Sequence, residues 1–129
     1  MALDAVDVIL RDGRTLRLRP PNASDADATV AFFHDLSDRS RYLRFHGLAE
    51  INRNVVRPYL EPDWLERGAL VATASDDTDA ERIVALASYE RLRDATTAEC
   101  AFVVSDAMQG VGIGTRLLEQ LAARAATQR

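Results

Sequence analysis

The stretch of sequence that decides the fold is "FVVSDAMQGVGIGTRLLEQLAARA", which runs from Phe102 to Ala125. Its first residues are apolar and β-branched, as in a buried strand, and its last residues place leucines and alanines at helical spacing. Three glycines lie at the junction, at Gly110, Gly112 and Gly114. Because glycine weakens a helix by about 1 kcal/mol relative to alanine, its repeated use here indicates a special backbone requirement.

The glycines predict a cradle for a diphosphate. The first backbone N–H groups of a helix have no partner within the helix, and the helix dipole adds partial positive charge there. Glycines leave room for a bulky anion to reach these N–H groups. The alternative is that the glycines serve only tight packing at the start of the helix.

Two familiar phosphate-binding motifs are excluded. The Walker A motif requires a lysine, but all 16 basic residues of the chain are arginines. The dinucleotide-binding motif G-x-G-x-x-G requires two residues between its later glycines, whereas one residue separates Gly112 from Gly114. The cradle is therefore of another kind.

The rest of the chain predicts an α+β fold with a mainly antiparallel sheet flanked by helices. Alternating apolar residues around Asp12-Gly13 predict a β-hairpin, and Ser24 with Asp27 predicts the capped start of a helix. Helices are also predicted over 38–47, 52–60 and 112–127, and strands over 69–75, 82–92 and 98–105. The final helix carries an apolar stripe of Ile113, Leu117, Leu118, Leu121, Ala122 and Ala125. Trp64 is predicted to anchor the core.

Length and composition indicate one globular domain over residues 1–129. A net charge of −4 argues against a nucleic-acid partner. No apolar run approaches the roughly 20 residues that span a bilayer, and the first residues lack the basic start of a signal peptide. The single cysteine, Cys100, predicts a reducing, cytoplasmic location. His34 and His46 lack metal-site spacing with each other or with Cys100, so no metal is expected.

The glycine stretch resembles a known family. The residues from Gln109 to Gly114, "QGVGIG", match the Q/R-x-x-G-x-G/A motif of the GNAT acyltransferase superfamily, which binds the pyrophosphate of acetyl-CoA. Val111 takes a position that is often basic in that motif, so one possible phosphate contact is missing. The segments 11–28 and 36–47 also resemble the GNAT domain of bacterial protein lysine acetyltransferases. In those enzymes the GNAT domain is often fused to a domain similar to ADP-forming acyl-CoA synthetases.

This resemblance implies a site for acetyl-CoA. The backbone of the strand would pair with the pantetheine arm, the loop amides would hold the pyrophosphate, and the Thr115 hydroxyl could add a hydrogen bond. The implied cofactor-binding residues are Phe102, Val103, Val104, Gln109, Gly110, Val111, Gly112, Ile113, Gly114 and Thr115. Tyr42, Arg44 and Phe45 would line the acceptor cleft, or else belong to an amphipathic helix that packs on the sheet.

Glu99 is the candidate general base. Acetyl transfer requires a neutral amine, so a base must take the proton of an amine whose pKa is about 10.4. Glu99 is the only charged residue in the apolar strand "AECAFVV", and partial burial would strengthen it as a base. The alternative is an edge-strand glutamate that faces water. Alternation places Glu99 on the same face as Val103, and Cys100, predicted to be a small buried residue, on the face of Phe102.

The predicted activity is acetylation of a protein lysine by direct transfer from acetyl-CoA. The alternatives are a non-catalytic acyl-CoA-binding module that regulates an attached synthetase, and an N-acetyltransferase for small amines. A complete GNAT domain continues with further strands, so the resemblance implies that this single domain is incomplete at its C-terminus. An unpaired strand edge would then favour a homo-oligomer.

Overall fold

The computed structural model describes residues 5–36, 52–75, 81–93, 97–105, 108–110 and 112–126. Within these ranges, one antiparallel sheet contains strands β1 (Val6–Ile9), β2 (Thr15–Arg19), β3 (Arg67–Ser75), β4 (Glu81–Arg91) and β5 (Ala98–Val104). The strands lie in chain order from β1 to β5. The helices of the same ranges are α1 (Ala26–His34), α2 (Arg53–Leu60) and α3 (Ile113–Ala126).

The predicted α+β architecture is confirmed. The predicted strands and the helices over 52–60 and 112–127 lie within two residues of the observed elements. The predicted helix over 38–47 lies outside the described residues, and so do Tyr42, Arg44, Phe45 and His46. The hairpin turns where it was predicted, because Gly13 adopts a φ of +90° and the Leu10 N–H donates to the Arg14 carbonyl at 2.8 Å.

The predicted cap of the first helix is wrong. A short 3-10 turn over Ala23–Asp25 precedes α1, and its cap is Asn22 rather than Ser24. The Asn22 side chain accepts from the Ser24 N–H at 2.9 Å, and the Asp25 carboxylate accepts from the Asn22 N–H at 2.8 Å. This reciprocal pair satisfies N–H groups that the turn leaves free, so the helical segment begins two residues earlier than predicted.

Arg19 joins the end of β2 to this turn. Its two terminal nitrogens, Nη1 and Nη2, each donate to one oxygen of Asp25, at 2.8 Å and 2.8 Å. The Arg19 guanidinium, with the Asn22 N–H, holds the pKa of Asp25 below its usual range. The pair fixes where α1 starts relative to the sheet, because a two-pronged contact restricts both distance and orientation.

Each face of the sheet carries its own hydrophobic cluster. The α3 face packs residues such as Leu18, Leu70 and Val104 against Leu117 of α3, which is completely buried. The other face, covered by α1 and α2, packs Val71, Ile83, Leu86 and Val103 against Phe32, Phe33, Val56 and Leu60. Val103 and Val104 thus point to opposite faces, as strand alternation predicted. Ala122 departs from the predicted stripe, because it is exposed on α3.

Trp64 is buried as predicted, but its backbone is unusual. Its φ is +64°, a conformation that bulky residues rarely adopt. The adjacent Asp63 carboxylate accepts from the N–H groups of Leu65, Glu66 and Arg67 at 2.9, 2.8 and 3.0 Å. These hydrogen bonds lower the pKa of Asp63, and the bond from the Arg67 N–H contributes most. The ionised carboxylate therefore stabilises the turn that leads into β3.

Candidate functional site

A cleft of about 740 Å³ lies between β5 and the glycine loop, which comprises residues 110–114. Every predicted cofactor-binding residue that the structure describes lines this cleft, and Glu99 lines it too. Val111 lies outside the described residues. The cleft is also bordered by Arg11, Cys100, Ala101 and Met108. The fold therefore brings the strand and loop residues of the predicted acetyl-CoA site into one cavity, which we call the cofactor cleft.

Glycine is needed at these three positions for different structural reasons. Gly110 and Gly112 adopt φ values of +84° and +92°, which side-chain-bearing residues rarely do. Gly114 has no such constraint, but a Cβ there would lie 2.6 Å from Cε2 of Phe102. The first two glycines shape the backbone, and the third makes room for an aromatic ring of β5. Room for an anion is therefore not the sole reason for glycine at these three positions.

Gln109 ties the glycine loop to the sheet. Its side-chain Nε2 donates to the Val104 carbonyl at 3.2 Å, at the end of β5. The Met108 N–H donates to the Ser105 carbonyl at 2.9 Å, and α3 begins at the buried Ile113, within the glycine loop. These contacts hold the first turn of α3, with its N–H groups and partial positive charge, against the cleft.

The β5 strand supplies one wall of the cofactor cleft. It pairs with β4 along one edge, where Phe102 lies opposite Ala87 and Val104 opposite Ala85. No strand within the described ranges pairs with its other edge. An unpaired strand edge presents N–H and C=O groups that an extended, amide-containing chain can bond. The pantetheine arm of CoA is such a chain, so the wall fits the group that the sequence implied.

Glu99 and Cys100 differ from their predicted environments. Both residues are exposed, whereas Glu99 was expected to be partly buried and Cys100 to be a core residue. They lie in the first half of an edge strand, and the helix α3 covers the other end of that strand, near Val104. Burial of Glu99 and Cys100 therefore cannot come from the described elements of the chain.

A second cleft, of about 410 Å³, lies beside the first and also includes Glu99. It is bordered by Tyr59 of α2 and by residues of β3, β4 and β5. Glu90 lies directly opposite Glu99 across the β4–β5 pair, and it accepts a hydrogen bond from Arg67 at 3.2 Å. Arg67 also borders this cleft and offsets the charge of Glu90, so Glu99 is the carboxylate of the cleft that has no ion pair among the described residues. We call it the acidic cleft.

Tyr89 lines the acidic cleft, and contacts with Trp64 hold its side chain in place. Its hydroxyl donates to the Trp64 carbonyl at 3.0 Å, and the two rings lie 6.2 Å apart. Burial raises the pKa of Tyr89 above its ordinary value. A Cβ on Gly68 would lie 2.2 Å from Cε2 of Tyr89, so glycine is required there. This packing holds β3 and β4 in place behind the acidic cleft.

Sequence reasoning missed two charged residues of the site. Arg11 reaches the glycine loop from the β1–β2 hairpin, and Glu90 borders the acidic cleft from β4. Arg11 is distant in sequence from the loop that it approaches, so no local motif could have found it. The cross-strand register of β4 and β5 would have identified Glu90. Among the described residues there is no group of three or more metal-ligand side chains, and no helix is long and apolar enough to cross a membrane.

Solved structures share this fold. The GNAT domain of PAT from S. lividans superposes with a TM-score of 0.84 and 34% sequence identity, over 96% of this chain and 73% of that one. A GCN5-related N-acetyltransferase from Kribbella flavida superposes with a TM-score of 0.62 and 18% identity, over 88% of this chain and 66% of that one. The second likeness concerns the fold alone.

Sequence comparisons agree with the structural ones. Acetyltransferase PA5475 from Pseudomonas aeruginosa is 28% identical over 113 residues, and acetyltransferase Pat from Mycolicibacterium smegmatis is 30% identical over 117 residues. These matches cover 87% and 90% of this chain, but only 60% and 34% of the two relatives. The model of the acetyltransferase (GNAT) family matches residues 26–129. The sequence-based resemblance is confirmed, and the chain belongs to the GNAT acetyltransferase family.

Proposed function

We propose that the chain transfers an acetyl group from acetyl-CoA directly to a lysine amine of a protein substrate, with Glu99 as the general base. The observation that carries this proposal is the position of Glu99, which borders both the cofactor cleft and the acidic cleft. A base for acetyl transfer must lie where the amine meets the thioester, and Glu99 is at the boundary of two cavities suited to these two groups.

The cofactor cleft fits a CoA thioester. Its glycine loop presents the first N–H groups of α3, which suit a diphosphate, and its β5 edge suits the amides of the pantetheine arm. When bound, acetyl-CoA supplies an activated acetyl group as a thioester. The chain's own contribution is to orient that group along β5, close to the end where Glu99 lies.

The acidic cleft fits a cationic amine. A lysine side chain is protonated at neutral pH, so it is attracted by Glu99, whose charge no described residue offsets, before it reacts. Transfer of its proton to Glu99 leaves the amine neutral, with the lone pair free to attack the carbonyl carbon of the thioester. The carbon–sulfur bond then breaks, and the second proton that the attacking nitrogen loses as the amide forms passes through solvent to the departing thiolate.

A protein acceptor is supported by the 34% identity to the GNAT domain of S. lividans PAT and by the sequence resemblance to protein lysine acetyltransferases. The acidic cleft alone also suits a small cationic amine, which is the second candidate. The third candidate is a non-catalytic acyl-CoA-binding module. It shares the cofactor cleft but requires no general base.

The experiment compares the chain with Glu99→Gln and with the control Glu119→Gln, which removes an exposed charge on α3 outside both clefts. Acetyl-CoA turnover is measured by thiol release, with poly-L-lysine or spermidine as acceptor. Glu99→Gln is expected to lower kcat about 100-fold to 10,000-fold while the Kd for acetyl-CoA stays unchanged. The deficit should shrink at high pH, where more of the amine is already neutral.

Each alternative has its own outcome in that experiment. Unchanged turnover in Glu99→Gln would remove Glu99 from the role of base. Faster turnover with spermidine than with poly-L-lysine would favour the small-amine acceptor. Tight acetyl-CoA binding without turnover of either acceptor would favour the non-catalytic module.

The remaining proposals concern the context of the chain. We propose that residues 1–129 belong to one GNAT domain, that this domain works in the cytoplasm, and that an acyl-CoA synthetase is one of its partners. When acetyl-CoA is absent, the outer edge of β5 is free to pair with a second copy of the chain. Light scattering at high protein concentration tests this pairing, and a strictly monomeric chain would contradict it.

A further inference from the structure

The glycine loop lacks the basic residue that its motif often carries, because position 111 is Val. A diphosphate bound there would meet backbone N–H groups without a nearby cation from the loop itself. The fold supplies another cation at the same place. Arg11, in the turn between β1 and β2, lies against the loop, with its Nε 3.6 Å from where a Cβ on Gly112 would be.

The hairpin turn is held in this position by its neighbours. Leu10 is buried in the α3 face of the sheet, which fixes the start of the turn. Arg14, at the end of the turn, contacts the Met108 sulfur through Nη1 at 2.9 Å, and Met108 lines the cofactor cleft. Arg11 therefore lies between Leu10 and Arg14, two residues whose positions are fixed by their contacts.

The charge of Arg11 is uncompensated, unlike that of most of its neighbours. Arg14 pairs with Asp12 at 2.6 Å, and Arg17 pairs with Asp7 at 3.0 Å. Arg11 makes no ion pair or hydrogen bond with any residue that the structure describes. In an acidic chain with a net charge of −4, leaving this guanidinium without a carboxylate keeps it available for an external anion.

A second guanidinium, that of Arg116, also has no ion pair with a described residue and lies beside it. Arg11 and Arg116 together border a small cleft of about 250 Å³, which also contains Gly112 and Thr115 of the loop region. None of the described residues that line this small cleft carries a carboxylate. The small cleft and the cofactor cleft share Arg11, Gly112 and Thr115, so the two arginines flank one end of the cofactor cleft.

We propose that Arg11, assisted by Arg116, binds a phosphate group of the CoA thioester and takes the place of the basic residue missing at position 111. The proposal rests on the proposed function, because it assumes that a CoA thioester occupies the cofactor cleft. Arginine suits this role, since its planar guanidinium can donate two hydrogen bonds to one phosphate. CoA carries both a diphosphate and a 3′-phosphate, and either can be the partner.

The test is a calorimetric titration of acetyl-CoA into the chain and into the variants Arg11→Gln and Arg116→Gln. The matched control is Arg82→Gln, which removes the same charge from an exposed residue of β4 that lines none of the three clefts. Circular dichroism checks that all variants fold. Arg11→Gln is expected to raise the Kd about tenfold or more, and Arg116→Gln by a smaller factor. Arg82→Gln should leave the Kd unchanged.

Two further titrations, with 3′-dephospho-CoA and at high salt, identify which phosphate Arg11 binds and whether the contact is an ion pair. If Arg11 binds the 3′-phosphate, Arg11→Gln binds 3′-dephospho-CoA as tightly as the unmodified chain does. If it binds the diphosphate, the tenfold loss persists with 3′-dephospho-CoA. Either result supports the proposal, and high salt should reduce the loss because it screens an exposed ion pair.

Equal Kd values for the unmodified chain and Arg11→Gln would overturn the role of Arg11 and leave the proposed function standing. Equal weakening by Arg11→Gln and Arg82→Gln would also overturn it, because the effect would then come from net charge. A folded, unmodified chain that does not bind acetyl-CoA would overturn the proposed function, and this proposal with it.

Discussion

A side chain at position 112 is expected to destabilise the glycine loop. Its φ is +92°, and residues with a Cβ adopt such a left-handed backbone at a cost of about 1–2 kcal/mol. Space is not the constraint, because an added Cβ would meet only Nε of Arg11, at 3.6 Å. Gly112→Ala is therefore expected to lower the free energy of unfolding by about 1–2 kcal/mol through the backbone alone.

The assay is urea unfolding followed by circular dichroism, with thermal unfolding as a second measurement. For a domain of this size, each 1 kcal/mol corresponds to a decrease in Tm of about 4 °C. Gly112→Asn is the matched control, since asparagine adopts positive φ several times more readily than alanine does. Its loss of stability is expected to be clearly smaller than that of Gly112→Ala.

Equal losses of stability for Gly112→Ala and Gly112→Asn, or no loss for either, would refute a backbone requirement for glycine at this position. Equal losses would mean that the side chain is excluded by contact and not by backbone conformation. A stable Gly112→Ala variant would mean that the loop does not require a positive φ at this position.

Two further predictions concern stability. Tyr89→Phe leaves the buried Trp64 carbonyl without its hydrogen bond, so it is expected to lower the free energy of unfolding by about 1–2 kcal/mol in urea, and an unchanged midpoint would contradict this role. The lowered pKa of Asp25 means that its pairing with Arg19 stabilises the fold above the unfolded pKa of about 3.9 and is lost as the pH falls through the lower folded value. Asp25→Asn should therefore be less stable than the unmodified chain at pH 7, with a difference that narrows below about pH 4; a constant difference across this range would exclude the linkage.

Local patterns in the sequence predicted the parts of the fold that depend on neighbouring residues. The Asp12-Gly13 pair predicted the hairpin, because few other residues fit its turn. The apolar spacing of α3 predicted both the helix and its buried side, apart from Ala122. The cap at Asn22 was missed because Ser24 offered an equally good local pattern, and the choice depends on the Arg19–Asp25 pair, which joins separate elements.

The candidate site was predictable to the extent that it is continuous in sequence. The β5 strand and the glycine loop are consecutive, so one motif identified both walls of the cofactor cleft. The exposure of Glu99 and Cys100 depends on what covers β5, which the local pattern of that strand does not contain. Arg11 was missed for a similar reason, because only the folded sheet brings the hairpin turn to the loop.

Acetyl-CoA binding in the cleft between β5 and the glycine loop underlies the proposed function. The most direct measurement is an NMR titration of the ¹⁵N-labelled chain with acetyl-CoA, with Gly112→Asp as a control that blocks and repels a diphosphate. We expect saturable shifts of the Gly110, Gly112 and Gly114 amide signals, no shift of Gly68, and loss of binding in the variant. A folded chain whose three loop amides do not shift at saturating acetyl-CoA would contradict this expectation.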